Sequence, residues 1–375
     1  MVRDGWARGA CAAALTLAAI VALLADASSA SAKGPPRAFY GVVPHYEIGD
    51  RDLRRMKAGR LGTVRITLPW SQIDPSALPD DYEWSEFDAV VAGASRQRIN
   101  VLPTVYSVPQ WLARLEGCDG TVRVCAITPP RGEVGLGEWR AFLGAAVRRY
   151  GPGGEFWALH PELAPRPIRA WQIWNEPNSR TFYQPQPDVP RYGELLIAAA
   201  EAIRGVDPGA EVLLAGLWNF PHADREGGIT GNAFLEQLYG LPGIEAAFDG
   251  IAVHPYAKRM SGVRAQVRRM VGIARAAGDE DVGTWITEVG WASGGRAHPY
   301  NRGPAGQARR LEQAFRWFTA NRRRLDLRLV AWYAWRDLAQ RELRHEWWAR
   351  TGLFRAERLD PKPAWERLVT LTGGR

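Results

Sequence analysis

Signatures for metal, phosphate and nucleic acid are missing from this chain. Its six histidines fall in no His-x-His or His-Glu-x-x-His spacing, so neither a catalytic metal nor another cofactor is expected. The turn that ends the first expected strand, Pro44-His45-Tyr46-Glu47, contains no glycine, which argues against an open, doubly wound sheet with a glycine-rich phosphate loop. No basic helix or aromatic-basic strand of the known nucleic-acid readers occurs, and no such partner is expected. No Pro/Gly/Ser-rich linker divides the chain, which points to a single domain. Cysteine is scarce, at 3 residues. Cys11 lies in the N-terminal apolar run, leaving Cys118 and Cys125 either to close a small disulfide loop in an oxidising compartment or to stay free thiols. That apolar run, 10–24, is shorter than the roughly 20 residues that span a bilayer, so stable membrane insertion is not expected.

The run instead has the form of an export signal. Arg3 and Arg8 precede it, and Ala30-Ser31-Ala32 offers a small-residue cleavage site. Residues 1–32 are expected to be removed, leaving a secreted domain of 33–375; retention as an anchor is the alternative. The net charge of +8 comes mainly from scattered arginines, apart from Arg322-Arg323-Arg324. This reads as a solvated surface, or as one that draws an acidic polysaccharide. Seventeen tryptophans exceed what packing requires, and their flat faces suit a sugar-binding cleft as well as a core.

From residue 39 onward, short apolar runs alternate with amphipathic stretches. Strands are expected at 39–45, 63–70, 99–107, 168–176, 211–218, 250–256, 283–291 and 327–337. The stretches 52–60, 82–98, 138–150, 189–204, 232–239, 263–277, 305–322 and 363–371 read as helices. In the fourth of these, Tyr192, Leu195, Leu196, Ala199 and Ile203 recur at the spacing of one buried helical face. Eight strand-helix units in one undivided chain predict an α/β fold, a (β/α)8 barrel.

In such a barrel the C-terminal strand ends build the site. Here they carry Arg65, Asn175, Glu176, His254, Tyr256, Glu288 and Trp335, a polar, aromatic and acidic ring, with His45 and Glu47 after the first strand. The run Trp171-Gln172-Ile173-Trp174-Asn175-Glu176 reads as a strand that Pro177 stops, because proline cannot donate to a ladder. Glu176 and Glu288 fall on strands four and seven, across the barrel mouth. Two carboxylates flanking a bond are the machinery of glycoside hydrolysis.

Ile173-Trp174-Asn175-Glu176-Pro177 and Ile286-Thr287-Glu288-Val289-Gly290-Trp291 resemble the fourth- and seventh-strand motifs of clan A glycoside hydrolases, the retaining β/α-barrel enzymes. Val64-Arg65-Ile66, His254-Pro255-Tyr256 and Thr351-Gly352-Leu353-Phe354 also look like segments of that clan. The resemblance is nearest to family 39, with family 5 second. It implies that Glu176 is the acid/base and Glu288 the nucleophile of a retaining β-glycosidase acting on an oligo- or polysaccharide, an acidic one included; with the export signal, the expectation is a secreted monomer. The alternative is a carbohydrate-binding barrel without turnover. By the same resemblance Asn175 would bond the sugar 2-hydroxyl or cap the loop. Trp335 would form the platform under the ring or belong to the core. Arg65 and Tyr256 would hold the nucleophile, or Arg65 would make a structural ion pair. His254 and His45 would orient groups or touch substrate. The third-strand end, Thr104-Val105-Tyr106-Ser107, departs from the clan by lacking the histidine some of its families carry there.

Overall fold

A computed structural model describes residues 34–45, 48–78, 80–219, 227–356 and 358–375. The expected signal segment, Cys11 and Glu47 lie outside the described residues. Arg37–Arg375 form one compact unit.

Among the described residues, nine strand segments form one parallel sheet: β1 (Tyr40–Val43), β2 (Thr63–Pro69), β3 (Asn100–Tyr106), β4 (Ala170–Ile173), β5 (Glu211–Leu213), β6 (Leu217–Trp218), β7 (Gly250–His254), β8 (Gly283–Val289) and β9 (Leu327–Tyr333). β1 pairs with both β2 and β9, while β5 and β6 both pair with β7, so the sheet closes on itself. β5 and β6 are two pieces of one staggered fifth strand. The result is the expected (β/α)8 barrel.

The strands read as nearly unbroken apolar runs because both of their faces are covered. All five residues of β7, Gly-Ile-Ala-Val-His, are buried. Their period of two nevertheless sorts the faces. Val64, Trp171, Ile173, Ile251, Val253, Val330 and Trp332 join the core between barrel and helices, whereas Val43, Leu102, Leu213, Leu329 and Ala331 form a separate apolar layer. That second layer fills the barrel interior, as a small barrel requires. On the helix Val189–Val206, the five residues of the expected face are all fully buried.

Two expectations need correction. The fourth strand ends at Ile173 rather than at Glu176, because Trp174 takes a left-handed φ of 72° and turns the chain out of the ladder before proline is reached. Trp335 lies beyond the end of β9, with none of its surface exposed. Its indole N–H donates to Asp52 Oδ1 at 2.7 Å, and its ring packs on Phe354 and Trp365. It is core, not a platform at the mouth.

Cys118 and Cys125 form a disulfide in the loop segment after β3. Among the described residues no helix is long and apolar enough to cross a membrane.

Candidate active site

Above the apolar layer the inward positions turn polar. Arg65 of β2, Thr104 of β3, Gln172 of β4 and His254 of β7 follow the inward parity of their strands, and all are buried. Arg65 joins them. Its Nε donates to Gln172 Oε1 at 2.6 Å, its Nη1 to Glu288 Oε1 at 2.7 Å and its Nη2 to Asn175 Oδ1 at 2.9 Å. Three acceptors on one planar fork fix the guanidinium and everything it touches. Thr104 Oγ1 adds a second donor to Gln172 Oε1, at 3.2 Å.

Strict alternation would send Glu288 outward, since Thr287 before it faces in. The pairing of β8 with β9 shifts register between Ile286 and Val289. A bulge of this kind inserts an extra residue and re-aims a side chain. Thr287 and Glu288 therefore both reach the interior: Thr287 Oγ1 lies 3.0 Å from His254 Nε2, and Glu288 Oε2 accepts from Tyr256 Oη at 2.7 Å. Glu176 arrives by another irregularity. After Trp174 the chain makes a single bridge from Asn175 to Gly216, and Glu176 itself has φ 42°. These backbone conformations are sparsely populated for residues with a Cβ and are held by their surroundings. Glu176 Oε1 thereby meets His254 Nδ1 at 2.6 Å.

Gly216 sits in the gap between β5 and β6 for a steric reason. A Cβ there would lie 2.0 Å from His254 Nε2. Only glycine leaves the imidazole room to stand between Glu176 and Thr287.

One oxygen of Glu176, one of Glu288 and one His254 ring nitrogen lie within 4.8 Å of one another. Burial pushes the Glu176 carboxyl well above the usual carboxylate range, the charge of Glu288 adds to this, and Arg65 opposes it. Glu288 is also raised by burial, but Arg65 and the Tyr256 hydroxyl pull it back. His254 is driven well below the usual imidazole range by burial and by Arg65, so the ring is neutral. Burial and Glu288 keep the Tyr256 hydroxyl protonated, able to donate. The two carboxyls thus differ in partners: a neutral imidazole beside Glu176, a cation and a hydroxyl on Glu288. That difference biases Glu176 toward the acid form and Glu288 toward the anion.

The same trio has the spacing of a metal site, but the donor set fits one poorly. Both Glu288 oxygens already accept strong hydrogen bonds, and a guanidinium 2.7 Å away opposes a second cation.

The structure brings Arg65, Asn175, Glu176, His254, Tyr256 and Glu288 together. It leaves Trp335 apart. His45 is at the rim, its Nδ1 3.2 Å from Tyr333 Oη, and burial lowers its pKa to about 4. Tyr333, at the end of β9, packs edge-on against His45 and Tyr256. It holds the rim position expected of Trp335. Sequence reading missed Tyr333, Gln172 and Thr287; for Gln172, inward parity between Trp171 and Ile173 was the available signal.

Two cavities lie near the mouth, one reaching the rim at His45 and the other reaching the cluster at Tyr256. One, of about 740 Å³, is lined by His45, Thr67, Ser71, Gln72, Tyr106 and Ser107 among others. The second, of about 400 Å³, is lined by Trp218, Tyr256, Lys258, Gln266, Tyr300 and Trp347 among others.

Comparison with solved structures finds a similar barrel in a family 39 glycoside hydrolase from Bacteroides cellulosilyticus, at 18% identity and a TM-score of 0.61, over 89% of this chain and 63% of that one. A monomeric β-xylosidase from Caulobacter crescentus is similar at 16% identity and a TM-score of 0.63, over 90% and 68% of the two chains. Xylanase B from Clostridium stercorarium matches at 15% identity and a TM-score of 0.57, over 89% and 98%. This chain thus spans less than two thirds of the first of these proteins. No family profile and no curated protein matches the sequence. The likeness anticipated from the strand-end motifs is met as a likeness of fold.

Proposed function

We propose that the protein is a secreted retaining glycoside hydrolase, with Glu176 as acid/base and Glu288 as nucleophile. The observation that carries this is the buried carboxyl pair, one oxygen of each within 4.8 Å of the other, with an imidazole on Glu176 and a guanidinium and a hydroxyl on Glu288. A separation this short leaves no space for a water between the carboxyls and suits direct attack by one of them.

In the first step Glu288 attacks the anomeric carbon while the Glu176 proton passes to the glycosidic oxygen, and the carbon-oxygen bond breaks with loss of the leaving sugar. Forming the glycosyl ester removes the Glu288 charge, so Glu176 no longer has a repelling neighbour and can take a proton. In the second step it deprotonates water, which attacks the same carbon and restores Glu288. Arg65 and Tyr256 hold Glu288 in place for both displacements. With Asn175 Oδ1 engaged by Arg65, the group Asn175 has to offer a 2-hydroxyl is its Nδ2 donor. His254, neutral and anchored by Thr287, fixes the Glu176 carboxyl. Tyr333 is the rim aromatic suited to lie against the sugar.

The test is a panel of aryl β-glycosides with Glu288→Ala. Hydrolysis should be abolished, and azide should restore turnover with inverted configuration in the glycosyl azide. Unchanged hydrolysis in that variant would overturn the assignment, and a panel on which the wild-type chain never turns over would favour the carbohydrate-binding reading.

A further inference from the structure

The two cavities occupy opposite sectors of the barrel mouth. The larger is built from the ends of β1, β2 and β3, through His45, Thr67 and Tyr106, and from the start of the helix Ser85–Arg96, through Glu86, Phe87 and Val90. The smaller is built from β6, β7 and the segments after β8 and β9, through Trp218, Tyr256, Tyr300 and Trp347. In an eight-stranded ring the second and sixth strands are diametrically opposed. Glu176, on the fourth strand, falls between the two sectors, and Glu288, on the seventh, borders the smaller cavity through its bond to Tyr256.

A line of aromatic rings joins them. His45 and Tyr333 lie 4.7 Å apart by ring centroid, Tyr333 and Tyr256 6.2 Å, Tyr256 and Trp347 5.2 Å, and Trp347 and Tyr300 4.7 Å. The line passes the reacting centre, since Tyr256 Oη is the donor to Glu288. Each end adds polar groups suited to hydroxyls. Ser71 and Ser107 bond one another at 2.9 Å in the first cavity. In the second, Gln266 Nε2 is spent on Tyr256 O at 2.9 Å, while its Oε1 is buried without a partner among the described residues. Both volumes fall in the range of built ligand pockets, roughly 300–1,000 Å³. An enzyme that trims one terminal sugar has use for a glycone pocket and a shallow exit, not for two formed pockets with aromatic faces in opposite sectors of the mouth.

We infer that the substrate is a chain cut internally, its sugar rings held in both cavities on either side of Glu176; this rests on the glycosidase reading above. Water is added across an internal bond, and both products are oligosaccharides.

The full chain should be given xylohexaose, cellohexaose and mannohexaose separately, with products read by mass spectrometry at low conversion. From whichever is cut, di-, tri- and tetrasaccharides should appear from the start. Stepwise loss of single sugars, hexaose to pentaose, would overturn the inference. Binding decides independently of turnover: Glu288→Ala, titrated with the same sugars by tryptophan fluorescence, should hold a hexasaccharide at least about tenfold tighter than the matching disaccharide. Equal affinities, or binding of none, would also overturn it. Trp347→Ala should lower kcat/KM for the hexasaccharide about tenfold more than for an aryl monoglycoside; equal losses would count against a chain subsite. Undiminished aryl glycoside hydrolysis in Glu288→Ala would instead defeat the catalytic assignment and leave the binding result standing.

Discussion

Glu176 is an acid that its surroundings do not want charged. Burial and the neighbouring Glu288 raise its pKa, and only Arg65 resists. A carboxyl whose folded pKa is raised supports the fold fully below its unfolded value near 4.5, and that support is lost as pH climbs toward the folded value. The proton needed for chemistry is therefore held at a cost to stability, the usual exchange at a functional site. Glu176→Gln removes the cost and keeps a neutral donor beside His254 Nδ1. Its Tm should exceed that of the wild type by about 2–6 °C at pH 7, with the gap closing toward pH 4. Melts across that range would show it, and a gap that did not change with pH would refute the electrostatic account. In activity, the alkaline limb of the pH profile should belong to Glu176. Glu176→Ala should spare aryl glycosides with good leaving groups far more than poor ones, since only the latter need the proton.

The site is set by places where regular elements fail. Three irregularities aim its side chains: the bulge between Ile286 and Val289, the left-handed turn at Trp174, and the break between β5 and β6 at Gly216. Gly216→Ala tests the last. A Cβ placed 2.0 Å from Nε2 must push His254 from Glu176, and a displacement near 1 Å at such a contact costs about 100-fold in kcat. Aryl glycoside kinetics should show this loss with the far-UV spectrum unchanged, and wild-type kcat would remove His254 from the positioning role. These irregularities also explain what the sequence could convey. Parallel strands covered on both faces announce themselves as β-branched and aromatic runs, and amphipathic helices by their period, so all eight units were legible. Glu176, Glu288, Arg65 and His254 were legible as polar residues ending apolar strands. A bulge or a positive φ has no such signature. Thr287 and Glu288 pointing the same way, and Gln172 joining Arg65, needed coordinates. Trp335 was misplaced for a related reason: parity puts it with Tyr333, but the chain leaves β9 at Tyr333 and turns the next aromatic into the helix layer.

At the scale of the molecule, the barrel is closed by joining its last elements to its first. β9 pairs with β1, Trp335 bonds Asp52 of the helix Asp50–Ala58, and Thr372 at the end of the last helix donates to Gly59 O at 2.7 Å. Between these lies a buried ion pair. Lys362 Nζ reaches Asp337 Oδ1 at 2.6 Å and Ser293 Oγ at 2.8 Å, and the Gly352 amide donates to the same Asp337 oxygen at 3.0 Å. One lysine thus ties the segments after β8 and β9 to the entrance of the last helix, just behind the mouth. Burial raises Asp337 and lowers Lys362, and each charge is retained against that by its partner. Such a pair adds little over a well-packed apolar substitute, but breaking it strands a charge. Lys362→Met should therefore destabilise the chain by about 3–5 kcal/mol, read as a lower urea midpoint with an unchanged slope. Asp337→Leu added to Lys362→Met removes the stranded carboxylate and should recover part of that loss. A double variant no better than the single one would mean that the aspartate serves the fold through the Gly352 amide rather than through the lysine. Hydrolysis by the single variant should fall less than its stability does, because the carboxyl pair is positioned by Arg65, Tyr256 and His254, none of which bonds to the latch.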